Sequence, residues 1–119
     1  LQTMRSVGLD IEHRTTQASF LKYDDILAPH ERKDPPIDNS DWLRLWVMKE
    51  AVLKAQGIGL HGKLKCIETG STFTQGWRDV RGTDLRVTSN RLPNGHYFGV
   101  ATGKLSCNDT KLIVRRYRF

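Results

Sequence analysis

The sequence predicts an α+β fold in which an antiparallel sheet packs on one central helix. Three observations carry that expectation. Val7, Leu9 and Ile11 alternate with Gly8, Asp10 and Glu12, the two-residue period of a half-buried strand. Between Ser40 and Gln56 apolar residues recur all round a helix that closes on Gly57. Beyond it, turn signals separate a series of short alternating runs. A strand, then helices, then an antiparallel sheet give one domain over residues 1–119, with no internal repeat, linker or low-complexity segment.

On the first strand, Asp10 and Glu12 project from one face, about 7 Å apart along the chain. Two like charges there repel unless a cation lies between them. A solvated acidic face is the ordinary outcome for an isolated pair of this kind. His13 falls on the opposite side by alternation and is the weaker ligand candidate. From Thr15 to Leu27 a cap at Thr15 or Thr16 opens a short helix carrying Phe20, Leu21, Ile26 and Leu27. The stretch from Ala28 to Pro36 is polar and proline-broken, a loop with room for one further turn, and His30 and Glu31 read as solvent groups.

The central helix has Ser40 or Asn39 as its cap, Asp41 near the positive end of its dipole and Gly57 as its left-handed stop. At 100° per residue, Glu50 and Lys54 point within about 40° of each other, one turn apart. Leu43, Trp46, Val47 and Leu53 flank them, while Leu45, Met48 and Val52 lie on the far side, so the helix is central rather than superficial. A carboxylate in such surroundings is costly unless it is paired or binds a metal. The ordinary reading is a Glu–Lys helix pair worth a few tenths of a kcal/mol.

After the helix, His61 to Glu68 alternates as a strand, and Gly70 to Gly82 is turn-rich with Phe73 and Trp77 as anchors. Asp84 to Thr88 reads as a strand, Pro93-Asn94-Gly95 as a hairpin turn and His96 to Thr102 as a core strand. Lys111 to Phe119 forms the last strand, with Leu112 and Val114 on one face and Ile113 and Tyr117 on the other. Arg115, Arg116 and Arg118 leave its end exposed.

Composition narrows the function classes. Of 119 residues, 38% are hydrophobic and 27% charged, and the net charge of +6 calls for an anionic partner: nucleic acid, phosphates or an acidic protein. No apolar run approaches the roughly 20 residues that span a bilayer, and no apolar signal-peptide core is visible, so the expected location is cytoplasmic. Cys66 and Cys107 could form one disulfide, but two unclustered cysteines more often stay reduced thiols there, and Asn108-Asp109-Thr110 matches the glycosylation sequon by chance.

Glu50 on the helix and Asp10 with Glu12 on the strand make three carboxylates available to one site. Hard oxygen ligands of that number suit Mg²⁺, which keeps some waters and is completed by substrate phosphate. Lys49 and Lys54 beside them suit a phosphate-rich substrate.

Gly8-Leu9-Asp10-Ile11-Glu12 resembles the G-[IVL]-D-[IVL]-E strand of the 4′-phosphopantetheinyl transferases. The stretch Trp46-Val47-Met48-Lys49-Glu50-Ala51-Val52-Leu53-Lys54-Ala55-Gln56-Gly57-Ile58-Gly59-Leu60 resembles their W-x-x-K-E-[AS]-x-x-K-x-x-G-x-G-L signature, the more specific of the two. His96 to Thr102 is similar to the family's late core strand. The resemblance implies that Asp10, Glu12 and Glu50 hold Mg²⁺ against the pyrophosphate of coenzyme A. Lys54 would contact phosphate and Lys49 would support it. A carrier-protein serine would attack the phosphate bearing pantetheine, its proton passing to Glu50 or a metal-held water, and 3′,5′-ADP would leave. An acidic acyl or peptidyl carrier protein is the implied partner, in fatty acid or polyketide biosynthesis.

Both carboxylates of the D-x-E strand match the two-lobed type of transferase, whose other lobe carries a Ser-His-Ser motif. The shorter acyl-carrier-protein synthase type completes its sites in a trimer and carries a Ser-His motif of its own. No Ser-His pair occurs in this chain. It therefore resembles a C-terminal lobe, and a homo-oligomer, dimer or trimer, is expected to supply what a second lobe would cover. The alternative is a non-catalytic lobe that binds a carrier protein or another anionic partner. A nucleic-acid binder using Arg115, Arg116 and Arg118 has no aromatic platform or basic recognition helix behind it.

Overall fold

Helix α2, Asn39–Gln56, is the element against which the others are laid. The computed structural model describes residues 7–17, 23–57, 64–69 and 76–103. The helix starts one residue earlier than the expected caps. Asp38, extended at φ −118° and ψ 174°, accepts the Asp41 amide hydrogen at 2.9 Å, so Asn39 and Ser40 are already helical. At the other end Gly57 takes φ 74° and donates to the Leu53 and Lys54 carbonyls, the expected left-handed stop. Leu43, Leu45, Val47, Met48, Ala51, Val52, Leu53 and Ala55 are all buried, so apolar neighbours surround the helix on more than one side.

One neighbour is a four-stranded antiparallel sheet. Strands β1 (Val7–Glu12), β2 (Arg78–Asp79), β3 (Leu85–Arg91) and β4 (Tyr97–Gly103) lie in the order β1-β4-β3-β2. The fold is thus the expected α+β arrangement of helix on antiparallel sheet. Register pairs Gly8 with Ala101, Asp10 with Gly99 and Glu12 with Tyr97, and across β4 Ala101 faces Val87 and Gly99 faces Ser89. These rows turn toward α2. Val7, Leu9 and Ile11 point to the other face of the sheet, where Val7 and Ile11 are exposed. The strand is therefore half-buried in the reverse of the usual sense, carboxylates inward and aliphatics outward. Gly95, at φ 89°, closes the expected β3–β4 hairpin by donating to the Leu92 carbonyl at 2.8 Å.

The other neighbour is a set of short turns. Helix α1 is a single turn, Tyr23–Ile26, and a 3-10 turn follows at Pro29–Lys33. Ile26 and Leu27 join Leu45, Met48, Val52, Ile67 and Val80 in the main core. Thr15 and Thr16 do not cap a helix but sit in the turn after β1, while Phe20 and Leu21 lie outside the described residues. The strand expected over 61–68 is instead a 3-10 turn at Leu64–Cys66, with His61 to Lys63 outside the described residues. In that turn the Leu64 carbonyl accepts from the Ile67 amide and from Lys49 of a buried ion pair, and the Thr69 amide beyond it serves the same pair. Phe73, Cys107, the sequon and the strand expected at 111–119 also lie outside the described residues, and Cys66 is a free, exposed thiol. No described helix is long and apolar enough to cross a membrane.

Candidate functional site

Two glycines bring the sheet onto the helix backbone. A Cβ placed on Gly8 would lie 1.9 Å from the Ala51 carbonyl oxygen, and one on Gly99 would lie 2.3 Å from that of Val47. Neither position accepts a side chain without moving β1 or β4 off the helix, so glycine is required by close approach. Small Ala51 and Ala55 on the helix complete the contact. Asp10 and Glu12, two and four residues beyond Gly8, are thereby delivered to the stripe Trp46–Glu50–Lys54, whose members are one helical turn apart.

Both ends of that stripe are tied to β1. Lys54 Nζ donates to Asp10 Oδ1 at 2.7 Å, and Trp46 Nε1 donates to Glu12 Oε1 at 3.2 Å. Glu12 Oε2 takes a long contact of 3.5 Å from the Thr16 hydroxyl. Glu50 lies between these anchors, half-buried, with no hydrogen bond or ion pair among the described residues. Burial, then the charge of Asp10, push the Glu50 carboxyl above its ordinary pKa, with Lys54 opposing and Glu12 adding. Asp10 is also raised, since its burial outweighs the hydrogen bond and charge of Lys54, and Glu12 adds to the effect. The structure therefore brings Asp10, Glu12, Glu50 and Lys54 into one electrostatically coupled group.

Whether a hard cation suits this group turns on its oxygens. Asp10 Oδ2 is buried and accepts no hydrogen bond, a costly arrangement for a carboxylate. With the unpartnered Glu50 beside it, two carboxylates present oxygens that a Mg²⁺ ion would satisfy. Glu12 Oε1 is engaged by Trp46, while its Oε2 carries only the long Thr16 contact and could join them. Among the described residues no three acidic, imidazole or thiol groups form a ready-made metal cage.

Lys49 stands apart. Expected to support phosphate, it is wholly buried, and its Nζ donates to the Ile26 carbonyl, to Glu31 Oε1 at 2.6 Å and to the Leu64 carbonyl at 3.1 Å. Its three donors are used, leaving none for a ligand. Burial pulls its pKa down, with Glu31 the main opposing influence. The reading of Glu31 as a solvent group is corrected, since it too is buried. Its Oε1 accepts the Ala28 amide at 2.9 Å, and its Oε2 accepts the Thr69 amide at 2.8 Å and the Thr69 hydroxyl at 3.1 Å. One sequence signal pointed this way: a lysine midway along a helix buried all round needs an acid. His30, by contrast, is exposed, near Glu68 and Arg81.

A family model described as the 4′-phosphopantetheinyl transferase superfamily matches residues 6–97, a span containing Gly8, Asp10, Glu12, Glu50 and Lys54. The chain belongs to that superfamily. No curated protein and no solved structure matches it significantly. Within this phosphopantetheinyl transferase domain, the two matching sequence stretches are the two segments that meet at the Gly8–Ala51 contact.

Proposed function

We propose that the protein transfers 4′-phosphopantetheine from coenzyme A to a serine of an acidic acyl or peptidyl carrier protein, in the cytoplasm and with Mg²⁺ as cofactor. The observation that carries this reading is Glu50, an unpartnered half-buried carboxylate beside the pair formed by Asp10, with its orphaned oxygen, and the half-exposed Lys54. Asp10 and Glu50 would hold the metal, with Glu12 as a third ligand through Oε2. Bound there, Mg²⁺ supplies charge neutralisation to the pyrophosphate. Lys54, swung from Asp10, contacts a pyrophosphate oxygen. The serine oxygen bonds to the phosphorus bearing pantetheine as the bond from that phosphorus to the 3′,5′-ADP oxygen breaks. Glu50, or a water held by the metal, would accept the serine proton. Lys49 supports the site indirectly, by fixing the helix turn that presents Glu50. The net charge of +6 suits an acidic carrier, and a homo-oligomer, dimer or trimer, covers the exposed Val7–Ile11 edge of the sheet.

The second reading is a lobe that binds a carrier without transfer, and Lys54 already closed on Asp10 favours it. Mass gain on carrier protein incubated with coenzyme A and Mg²⁺ separates the two. Wild type should transfer and Glu50→Gln should not, since the amide lacks both the metal-binding charge and the base. Equal transfer by the two would overturn the assignment. Lys54→Met should act with opposite signs in calorimetry. It should tighten Mg²⁺ binding a few-fold by freeing Asp10, within the roughly 1 kcal/mol of a half-exposed ion pair. It should weaken coenzyme A binding by deleting a phosphate contact.

A further inference from the structure

We propose that Thr16 and Asn39 are positioning residues for Glu12, setting the carboxylate plane in which it serves as the third oxygen ligand of a divalent cation. This role rests on the metal reading of the candidate site. Glu12 ends β1, and each of its oxygens has its own donor. Trp46 Nε1 donates to Oε1 at 3.2 Å, and the Thr16 hydroxyl reaches Oε2 at 3.5 Å. A carboxylate held at one oxygen still turns about that contact, whereas a second donor on the other oxygen sets its plane. Each carboxylate oxygen has about two acceptor positions, so Oε2 keeps one for a cation while Thr16 takes the other. Carboxylates that bind metals are ordinarily oriented this way, by donors that do not touch the ion themselves.

The Thr16 hydroxyl can orient Glu12 only if its own backbone is fixed, and two hydrogen bonds fix it. The Thr16 amide donates to the His13 carbonyl at 3.0 Å, closing the turn that follows β1. The Thr16 carbonyl accepts from Asn39 Nδ2 at 3.0 Å, a bond that spans 23 residues of chain. Asn39 opens α2, and sequence alone offers it as the cap of that helix. Asp38 takes that task instead, by accepting the Asp41 amide, and the Asn39 side chain reaches across to the turn.

Asn39 precedes Trp46 by seven residues, two helical turns, so it extends the Trp46–Glu50–Lys54 stripe along the same face of α2. Three members of the longer stripe donate to β1 or its turn: Lys54 to Asp10, Trp46 to Glu12 and Asn39 to Thr16. Both donors to Glu12 are therefore referred to one rigid helix, Trp46 directly and Thr16 through Asn39. Glu50 stands on the same helix, so the placement of Glu12 relative to Glu50 is set from α2 rather than by β1 alone.

The test uses the full chain with Mg²⁺ as the only ligand, titrated in calorimetry at fixed pH. Thr16→Val keeps the side-chain shape and loses the hydroxyl, while Asn39→Ala loses the amide donor without changing charge. Each should weaken Mg²⁺ binding about tenfold, the lower end of what such an outer partner contributes. Thr16→Ser should bind as wild type does, because the hydroxyl is retained. In a Glu12→Gln background neither Thr16→Val nor Asn39→Ala should weaken binding further, since both act through that carboxylate. Losses of equal size in both backgrounds would mark a general loss of structure and overturn the proposal. So would a Thr16→Val variant that binds Mg²⁺ normally, and a wild type that binds none would remove the metal reading with it. The expected Mg²⁺ behaviour in a chain that modifies no carrier protein would sustain the positioning role and refute the transferase reading.

Discussion

Glu50 is held where its charge is a cost to the folded chain. Its carboxyl is raised by burial and by Asp10, so the folded state binds its proton more tightly than the unfolded state does. Above the folded pKa the ionised group therefore subtracts stability, and that penalty fades as pH falls through the folded pKa and the group becomes neutral. Glu50→Gln should accordingly raise Tm at neutral pH with a chelator present, by under about 1 kcal/mol or a few degrees. The gain should vanish in acid, where glutamic acid and glutamine are both uncharged. Thermal unfolding at the two pH values checks this, and a lowered Tm at neutral pH would show that Glu50 is stabilised by something else. At this scale the sequence was informative where spacing is local: Glu50 and Lys54 share a helix stripe, and Asp10 and Glu12 share a strand face. It called for an acid beside Lys49 without singling out Glu31, because the two are distant in sequence and nothing periodic links a loop acid to a helix.

Elements meet here through two devices, the glycine contacts that seat the sheet on α2 and the Lys49–Glu31 pair that ties α2 to the turns behind it. That pair is buried and fully hydrogen-bonded, so removing one partner strands the other. Glu31→Gln or Lys49→Met should each cost about 3–5 kcal/mol of unfolding free energy. The double variant Glu31→Leu, Lys49→Met should recover only part, since the Ala28 amide, the Thr69 amide and the Thr69 hydroxyl lose their acceptor. Urea unfolding measures all three, and single variants within a few tenths of a kcal/mol of wild type would contradict the account. The same pair bears on the turn where alternation predicted a strand at 61–68, since the Leu64 carbonyl is taken by Lys49 and by the Ile67 amide rather than by a ladder partner. Periodicity did locate β1, β3, β4 and α2. It could not say which face of β1 turns inward, because a period of two has no sign until a neighbour is chosen. Gly8, flush against Ala51, makes that choice.

One side of the sheet is covered by α2; on the other, Val100 and Thr102 of β4 are buried and exposure is confined to the β1 edge. Val7 and Ile11 are 36% and 43% exposed there, with Leu9 between them on the same row. An apolar strip of this kind on a chain with a net charge of +6 is a poor match for an acidic carrier and a good one for its own copy. A two-fold contact would set each strip against its equivalent, so every substitution acts twice at the interface. Ile11→Asp should then separate the copies, because two carboxylates would face each other in a drying apolar contact. It should leave the monomer folded, since Ile11 points away from α2 and the core. Sedimentation at high micromolar concentration should give a species larger than one chain for wild type and a monomer for Ile11→Asp, with matching circular dichroism spectra. A wild-type chain that stays monomeric under those conditions would remove the second copy from the account and leave this face for a different partner.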